Sequence, residues 1–113
     1  MLVFRGIPES TSQSTVLTIG NFDGVHLGHQ ALLERLASYA RQVALPATVM
    51  TFEPHPREFF AADSAPARLT SLREKLELLQ ACNVDRVHVC RFNAKLAALD
   101  AQQFIEKILV RGL

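Results

Sequence analysis

The sequence has few cysteines, no long apolar run and almost no net charge, and each shortage excludes a class of protein. Cys82 and Cys90 are too few for a disulfide framework and lack C-x-x-C spacing. We expect both to be buried free thiols, as is usual in a reducing cytosol. No apolar run approaches the ~18 residues of a membrane-spanning helix, and no signal-peptide pattern is visible. The expected location is the cytoplasm.

The charge balance narrows the range of partners. Twelve Lys and Arg residues stand against eleven Asp and Glu, which leaves a net charge of +1 over 113 residues. This balance gives no electrostatic reason to expect nucleic acid or an acidic membrane surface as a partner. Any bound anion must therefore be held by local geometry. The length allows one domain with a core that needs no disulfides.

Apolar runs alternate with amphipathic stretches along the chain. Short apolar runs predict strands, and apolar residues three and four positions apart predict helices. Strands are predicted at 1–4, 15–20, 44–52 and 84–92, and helices at about 27–41, at 71–81 and from Asp100 onward. Strands that alternate with helices favour a parallel sheet covered on both faces.

Local signals also predict where the helices begin and end and which faces they bury. Ser71 with Glu74 fits a capping box, Asp100 with Gln103 has the same spacing, and Asn83 is a typical helix stop. The apolar face of the first predicted helix comprises Leu32, Leu33, Leu36, Ala37, Ala40 and Val43. That of the last comprises Ala101, Phe104, Ile105, Ile108 and Leu109.

The turn after strand 15–20 carries the clearest functional signal. Its sequence, G-N-F-D-G-V-H-L-G-H (Gly20–His29), places three glycines and two histidines at the start of the first predicted helix. A helix N-terminus presents unpaired backbone N–H groups and the positive end of the helix dipole, which favour a bound anion. His26 and His29 are three residues apart and so lie on one side of that helix. The pattern predicts a phosphate site.

A long irregular stretch, 53–69, follows strand 44–52. Near its start, Pro54 and Pro56 restrict the backbone on either side of His55 and would fix the direction of its ring. If strands 15–20 and 44–52 are parallel neighbours, the glycine turn and this stretch meet at one edge of the sheet. Ligands bind in that position in open α/β sheets.

Other interpretations of the histidines stay open on these residues alone. His26 and His29 could be polar surface residues at a helix start. Together with His55 they could supply three zinc ligands, although no H-E-x-x-H pattern or cysteine cluster supports a zinc site. His88 lies between Val87 and Val89 in a predicted strand and is interpreted as a structural histidine.

Three phrases in order resemble a known enzyme family. G-N-F-D-G-V-H-L-G-H is similar to the H-x-G-H signature of nucleotidyltransferases, and its continuation, H-Q-A-L-L, resembles the FMN adenylyltransferase module of bacterial bifunctional FAD synthetases. T-F-E-P-H-P-R-E-F-F (Thr51–Phe60) and R-L-T-S-L-R-E-K-L-E-L-L (Arg68–Leu79) fit the same family. The resemblance implies a three-layer, Rossmann-like α/β nucleotidyltransferase fold with a mainly parallel sheet.

The resemblance also implies an activity and a set of site residues. The module transfers AMP from ATP to FMN, which gives FAD and pyrophosphate. The implied catalytic residues are His26 and His29, as donors to the α-phosphate. The implied ATP-binding residues are Gly20, Asn21, Phe22, Asp23, Gly24, His26, Gly28 and His29, and the implied FMN-binding residues are Phe52, Pro54, His55 and Pro56. Mg²⁺ would arrive with ATP, so no protein ligands to a metal are predicted.

The family pattern extends past residue 113. The resemblance therefore implies that residues 1–113 are the N-terminal portion of a C-terminally truncated adenylyltransferase domain, and that a full-length protein adds a riboflavin kinase domain. We expect the isolated chain to be nearly inactive. The alternatives are another H-x-G-H cytidylyl- or adenylyltransferase, which T-F-E-P-H-P argues against, and a non-catalytic nucleotide-binding module.

Overall fold

The chain forms an α/β fold around a parallel sheet. The computed structural model describes residues 1–7, 11, 13–22, 27–53, 71–91, 94–110 and 112–113. Its strands are β1 (Leu2–Arg5), β2 (Val16–Ile19), β3 (Ala47–Phe52) and β4 (Arg86–Cys90). Its helices are α1 (Leu27–Val43), α2 (Leu72–Ala81), α3 (Ala94–Ala97) and α4 (Ala101–Phe104), and α4 continues as a π-helix over Ile105–Val110. The strand order is β1-β4-β3-β2 and each neighbouring pair is parallel, so the predicted parallel sheet is confirmed.

The hydrophobic core lies between one face of the sheet and the helices α1 and α2. Val49 of β3 and its partner Val87 of β4 are fully buried on this face, with Leu33 of α1 and Leu79 of α2. Both helices share the face because β2, β3 and β4 are successive neighbours. Right-handed crossovers between strands that advance in one direction place successive helices on the same side.

The second face of the sheet borders the C-terminal segment and the described residues that follow β1, among them Ile7, Thr11 and Gln13. Leu17 of β2 shares a cavity with Leu109 and Leu113. His88 also lies on this face, where its Nδ1 is 3.1 Å from the carbonyl oxygen of Gly6 and its ring stacks on Phe4. The structural role predicted for His88 and the three-layer arrangement are therefore both confirmed.

Helix α2 begins and ends where the sequence predicts. The Ser71 hydroxyl accepts a hydrogen bond from the Glu74 N–H at 3.2 Å, and the Glu74 carboxylate accepts from the Ser71 N–H at 3.3 Å, which completes the capping box. Asn83 has a φ of 65°. Its N–H and that of Val84 donate to carbonyls of the last turn at 3.1 and 3.4 Å, the pattern of a Schellman motif. The predicted capping box at Asp100 is also confirmed.

Three strands, β2, β3 and β4, are shorter than predicted. In β3 and β4 the reason is that the preceding helix uses residues before the strand. Residues 44–46 form the exit from α1 and do not join β3. Ala44 has a φ of 55°, its N–H donates to the Arg41 carbonyl at 3.3 Å, and the Leu45 N–H donates to the Ala40 carbonyl at 3.0 Å. At the start of β4, Val84 is likewise used to close α2, while Phe92 lies outside the described residues.

The predicted apolar faces of the first and last helices were too wide. In α1 the buried stripe is Leu33, Leu36, Ala37 and Ala40, whereas Leu32 and Val43 are exposed. Leu32 lies about 100° around the helix from Leu33 and therefore faces outward. In the last helix Ala101 and Ile105 are exposed. From Ile105 onward the π-helical winding departs from the 3.6-residue spacing that the prediction assumed. The side chain of Ile108 is outside the description, and α3 was not predicted.

Glycine at position 44 is expected to stabilise the protein. An alanine with a φ of 55° is strained by its Cβ, and glycine is the residue that this helix-end motif prefers. We expect Ala44→Gly to raise the free energy of unfolding by about 1 kcal/mol, which corresponds to roughly 4 °C in Tm. Calorimetric or circular-dichroism melting measures the shift.

A matched control uses the same substitution at Ala31, an exposed position inside α1. Glycine there costs about 1 kcal/mol because it adds backbone freedom to the unfolded chain. Opposite signs at positions 44 and 31 are the expected result. A loss of stability at both positions would contradict the strain at Ala44.

The two cysteines are free thiols, as predicted, and their reactivities should differ. Cys90 is buried on β4, and burial raises the pKa of its thiol to about 12, whereas Cys82 is half-buried at the end of α2. Because the thiolate is the nucleophile, burial and the raised pKa both make Cys90 unreactive near pH 8. We expect iodoacetamide to label Cys82 in the native protein and Cys90 only after unfolding, as read by peptide mass spectrometry. Equal native labelling would contradict the burial of Cys90.

Candidate functional site

The turn after β2 and the segment after β3 meet at one edge of the sheet. Ile19 of β2 pairs with Met50 of β3 in a parallel register, so both strands end side by side. The Gly20 N–H donates to the Met50 carbonyl at 3.1 Å. The Thr51 hydroxyl donates to the Asn21 carbonyl at 3.2 Å. The turn after β2 therefore contacts the end of β3, whereas its predicted meeting with stretch 53–69 stays a prediction, because only Glu53 of that stretch lies in the described ranges.

Helix α1 begins at this same edge. Its first residue is Leu27, so Gly28 and His29 lie in the first turn, as predicted. The N-terminus of an α-helix presents backbone N–H groups and a partial positive charge, which together favour an anion. Gly28 is exposed and leaves the approach to this turn open.

The ring of His29 is held by an aromatic neighbour. It meets the ring of Phe22 edge-on, with centroids 5.0 Å apart and an interplanar angle of 60°. The His29 side chain is half-buried, and its Nδ1 is shielded from solvent. The contact with Phe22 therefore restricts the direction in which this imidazole can point.

Phe22 itself is a core residue, only 2% exposed. Its φ of 53° turns the chain back, so that its ring packs into the hydrophobic cluster below the turn. The ring is thus committed to packing, and only the Phe22 backbone could face a nucleotide. Gly20 makes this arrangement possible, because a Cβ at position 20 would lie 2.8 Å from Cε2 of Phe22.

Asn21 presents an acceptor oxygen in the same turn. Its side-chain Oδ1 is buried and has no hydrogen-bond partner among the residues that the structure describes. A carboxamide oxygen accepts hydrogen bonds. It therefore suits a donor such as a ribose hydroxyl or an adenine amino group better than a phosphate.

Half of the predicted site residues lie outside the described ranges, namely Asp23, Gly24, His26, Pro54, His55 and Pro56. Their convergence with Gly20, Asn21, Phe22, Gly28, His29 and Phe52 stays a prediction. Within the described ranges no three His, Cys, Asp or Glu side chains are grouped to hold a metal ion. Two of the three histidines in the zinc alternative, His26 and His55, lie outside those ranges.

Phe52 lies at the end of β3, where it borders an apolar cavity. The cavity has a volume of about 290 Å³ and is lined further by Leu96, Leu99 and Phe104 from the C-terminal segment. Since neighbouring residues of a strand point to opposite faces, Phe52 faces this segment while Thr51 faces α2. The predicted FMN-binding position therefore lies beside a pre-formed apolar space.

Sequence analysis did not single out Lys75, which the structure places close to this edge. The Lys75 ammonium donates to the Thr51 hydroxyl at 3.2 Å, and both side chains are buried. A signal was available in the sequence, because position 75 falls on the stripe of Leu72, Leu76 and Leu79. A lysine there interrupts a face that is otherwise apolar.

The family is decided by comparison with known proteins. The family model described as FAD synthetase matches residues 8–113. The chain belongs to the FAD synthetase family. The site described above therefore contains the part of this family's sequence that carries the H-x-G-H phrase.

Relatives agree on one description, "bifunctional riboflavin kinase/FMN adenylyltransferase". The Escherichia coli K12 protein of that name is 53% identical over 116 residues, which cover 100% of this chain and 37% of the relative. The Pseudomonas fluorescens protein is 50% identical over 98 residues (87% of this chain, 31% of the relative), and the Haemophilus influenzae protein is 45% identical over 115 residues (100% and 37%). The chain thus spans about a third of the length of these relatives.

A solved structure shares the fold. It is a crystal structure described as a macrolide-efflux protein from Streptococcus pneumoniae, with a TM-score of 0.80 and 26% sequence identity. The match covers 96% of this chain and 39% of that one. Separately, none of the helices in the described ranges has the length and apolar character needed to cross a membrane.

Substitution of Gly20 tests how tightly Phe22 closes over the turn. Because the φ of Gly20 is not in the left-handed region, alanine is permitted there by the backbone, and any loss must come from its contact with the Phe22 ring. We expect Gly20→Ala to lower the free energy of unfolding by about 1–3 kcal/mol, the usual cost of overpacking a core. Urea denaturation measures this loss.

The double variant Gly20→Ala/Phe22→Leu supplies the control. Leucine lacks the ring atoms that the new Cβ would meet, so the alanine should cost little in that background. An equal cost of Gly20→Ala with phenylalanine and with leucine at position 22 would show that the ring is not responsible.

Proposed function

We propose that the chain is the FMN adenylyltransferase part of a FAD synthetase, which transfers AMP from ATP to FMN. The observation that carries the proposal is the contact between the two signature phrases at one sheet edge. Thr51, the first residue of the T-F-E-P-H-P phrase, is hydrogen-bonded to Asn21 in the H-x-G-H phrase. The names of the relatives support the same activity.

The proposed chemistry needs positioning more than a strong base. A phosphate oxygen of FMN attacks the α-phosphorus of ATP in line, and pyrophosphate leaves from the opposite side. The acceptor phosphate is already ionised near neutral pH, so the protein has to align the reactants and stabilise charge on the α-phosphate. His29 and the N-terminal turn of α1 are proposed to supply such donors together with His26, and the start of α1 at Leu27 supports this assignment.

The nucleotide and the flavin are assigned to the two segments that meet. ATP is assigned to the turn of residues 20–24 with His26, Gly28 and His29, where the Asn21 oxygen suits a hydroxyl or amino donor. FMN is assigned to Phe52, Pro54, His55 and Pro56. The apolar cavity beside Phe52 supports this assignment, because an isoalloxazine ring requires apolar surface.

Further parts of the proposal concern the metal, the partner domain and the location. Mg²⁺ prefers oxygen ligands and keeps several waters, so ATP phosphates can carry it without a carboxylate cluster in the protein. The names of the relatives support a riboflavin kinase activity in a longer protein. A cytoplasmic location fits the two free thiols.

Ligand binding and product formation test the proposal together. We expect ATP with Mg²⁺, and FMN, each to raise the Tm, because a ligand at 100 times its Kd stabilises the folded state by about 2.7 kcal/mol. His29→Ala should weaken ATP binding about 10- to 100-fold, since it removes a hydrogen bond to a charged group worth about 1.5–3 kcal/mol. Its effect on FMN binding should be small. Calorimetric titration measures both affinities, and chromatography of long incubations detects FAD.

Controls separate this function from the alternatives. Glu34→Ala changes an exposed residue of α1 and should leave both affinities unchanged. CTP and 4′-phosphopantetheine should give no comparable protection. Protection by either of these in place of ATP and FMN would favour another nucleotidyltransferase. Nucleotide binding with no FAD formed, and with no dependence on His29, would favour a non-catalytic module.

A further inference from the structure

Lys75 is a buried cation on the apolar face of α2, at a position where packing alone would favour leucine. It lies in the first turns of α2, directly after the capping-box residue Glu74, and only 1% of it is exposed. Lysine is almost never fully buried unless it is paired. Its neighbours on the same helix face, Leu72, Leu76 and Leu79, all pack on the core. The chain therefore retains a charge where an apolar side chain would pack without a desolvation cost.

A hydrogen-bond chain leads from this lysine to the nucleotide turn. The Lys75 ammonium donates to the Thr51 hydroxyl at 3.2 Å, and that hydroxyl donates its own proton to the Asn21 carbonyl at 3.2 Å. A threonine hydroxyl has one donor and two acceptor sites, so both bonds form at once. The cation polarises the hydroxyl and strengthens the bond to Asn21.

The chain of hydrogen bonds connects side chains of α2 and β3 to the turn after β2. The capping box at Ser71 fixes the start of α2. Thr51, which is fully buried, precedes the segment assigned to FMN. Asn21 lies between Gly20, which is bonded to Met50, and Phe22, which contacts His29. A displacement of Thr51 would therefore shift the nucleotide turn and the flavin segment together.

We propose that Lys75 is a positioning residue which, through Thr51, holds the turn of residues 20–22 in the geometry that binds the nucleotide. The assignment of a nucleotide rests on the proposed function above, whereas the effect on the turn does not. Lys75 acts through Thr51 and does not itself touch the substrate. Stability alone does not explain a buried charge here, because replacing such a group together with its polar partners by apolar side chains is often neutral or stabilising.

Hydrogen exchange tests the effect on the turn without any ligand. Lys75→Met keeps the length of the side chain and removes the ammonium, and Thr51→Val keeps the shape and removes the hydroxyl. We expect each to speed exchange of the Gly20 amide, and of those at 21 and 22, at least 10-fold. The Val87 amide in the centre of the sheet should be unaffected. Thr51→Ser retains the hydroxyl, so the amides of the turn should exchange as slowly as in the wild type.

Arg73→Met is the matched control for removal of a cation from α2. The Arg73 side chain is 90% exposed and pairs only with Glu77, one turn further along α2, among the contacts that the structure describes. It should change neither exchange nor binding. The double variant Lys75→Met/Thr51→Val should be no worse than Lys75→Met, because the bond from Thr51 to Lys75 is already lost in that background.

Titration with ATP and Mg²⁺ tests the consequence for binding. We expect Lys75→Met and Thr51→Val each to raise the Kd for ATP at least 10-fold. The Tm of Lys75→Met should be unchanged or higher, whereas Thr51→Val removes an acceptor of the buried ammonium and should lower the Tm. Unchanged exchange at residues 20–22 would overturn the inference, as would faster exchange with unchanged ATP affinity. If the wild-type chain binds no ATP and the variants still exchange faster at the turn, the proposed function is refuted. The role of Lys75 in holding the turn is then still supported.

Discussion

The parallel pairing of β2 with β3 is the constraint on which the rest of the site depends. The two strands are in register from Val16 opposite Ala47 to Ile19 opposite Met50. Both strand ends therefore lie at one edge, together with the N-terminus of α1. A slip of one residue would turn Val49 out of the core and bring Met50 into it. Core packing thus fixes the register, and the register places the two signature phrases in contact.

Much of the fold could be predicted from local patterns. The helices α1 and α2 follow from stripes of leucine and alanine, and the capping boxes at Ser71 and Asp100 mark helix starts. The strands follow from their apolar runs. The short α3 and the π-helical end could not be predicted, because four residues carry no period and the π winding departs from the assumed one. The left-handed Ala44 was missed for a related reason, since glycine usually marks such an exit.

The site was predictable where it depends on strand order and not where it depends on single tertiary contacts. Strands that alternate with helices predict that the turn at Gly20 and the segment after Thr51 meet. The packing of Phe22 into the core could not be predicted from a glycine-rich turn, because it depends on side chains of α1 and the sheet. Lys75 and Thr51 lie on different elements, so the hydrogen bond between them can be recognised only from the tertiary structure.

The position of β1 in the sheet has a consequence for synthesis of the chain. β1 precedes the other strands in the sequence, yet its sheet partner is β4, with Leu2 opposite Arg86. During synthesis β1 leaves the ribosome first. It therefore lacks its sheet partner β4 while β2, α1 and β3 assemble through contacts that are closer in sequence. Unpaired strands of this kind are prone to association with other chains. Emergence of β4 is therefore the event that protects the nascent N-terminal strand.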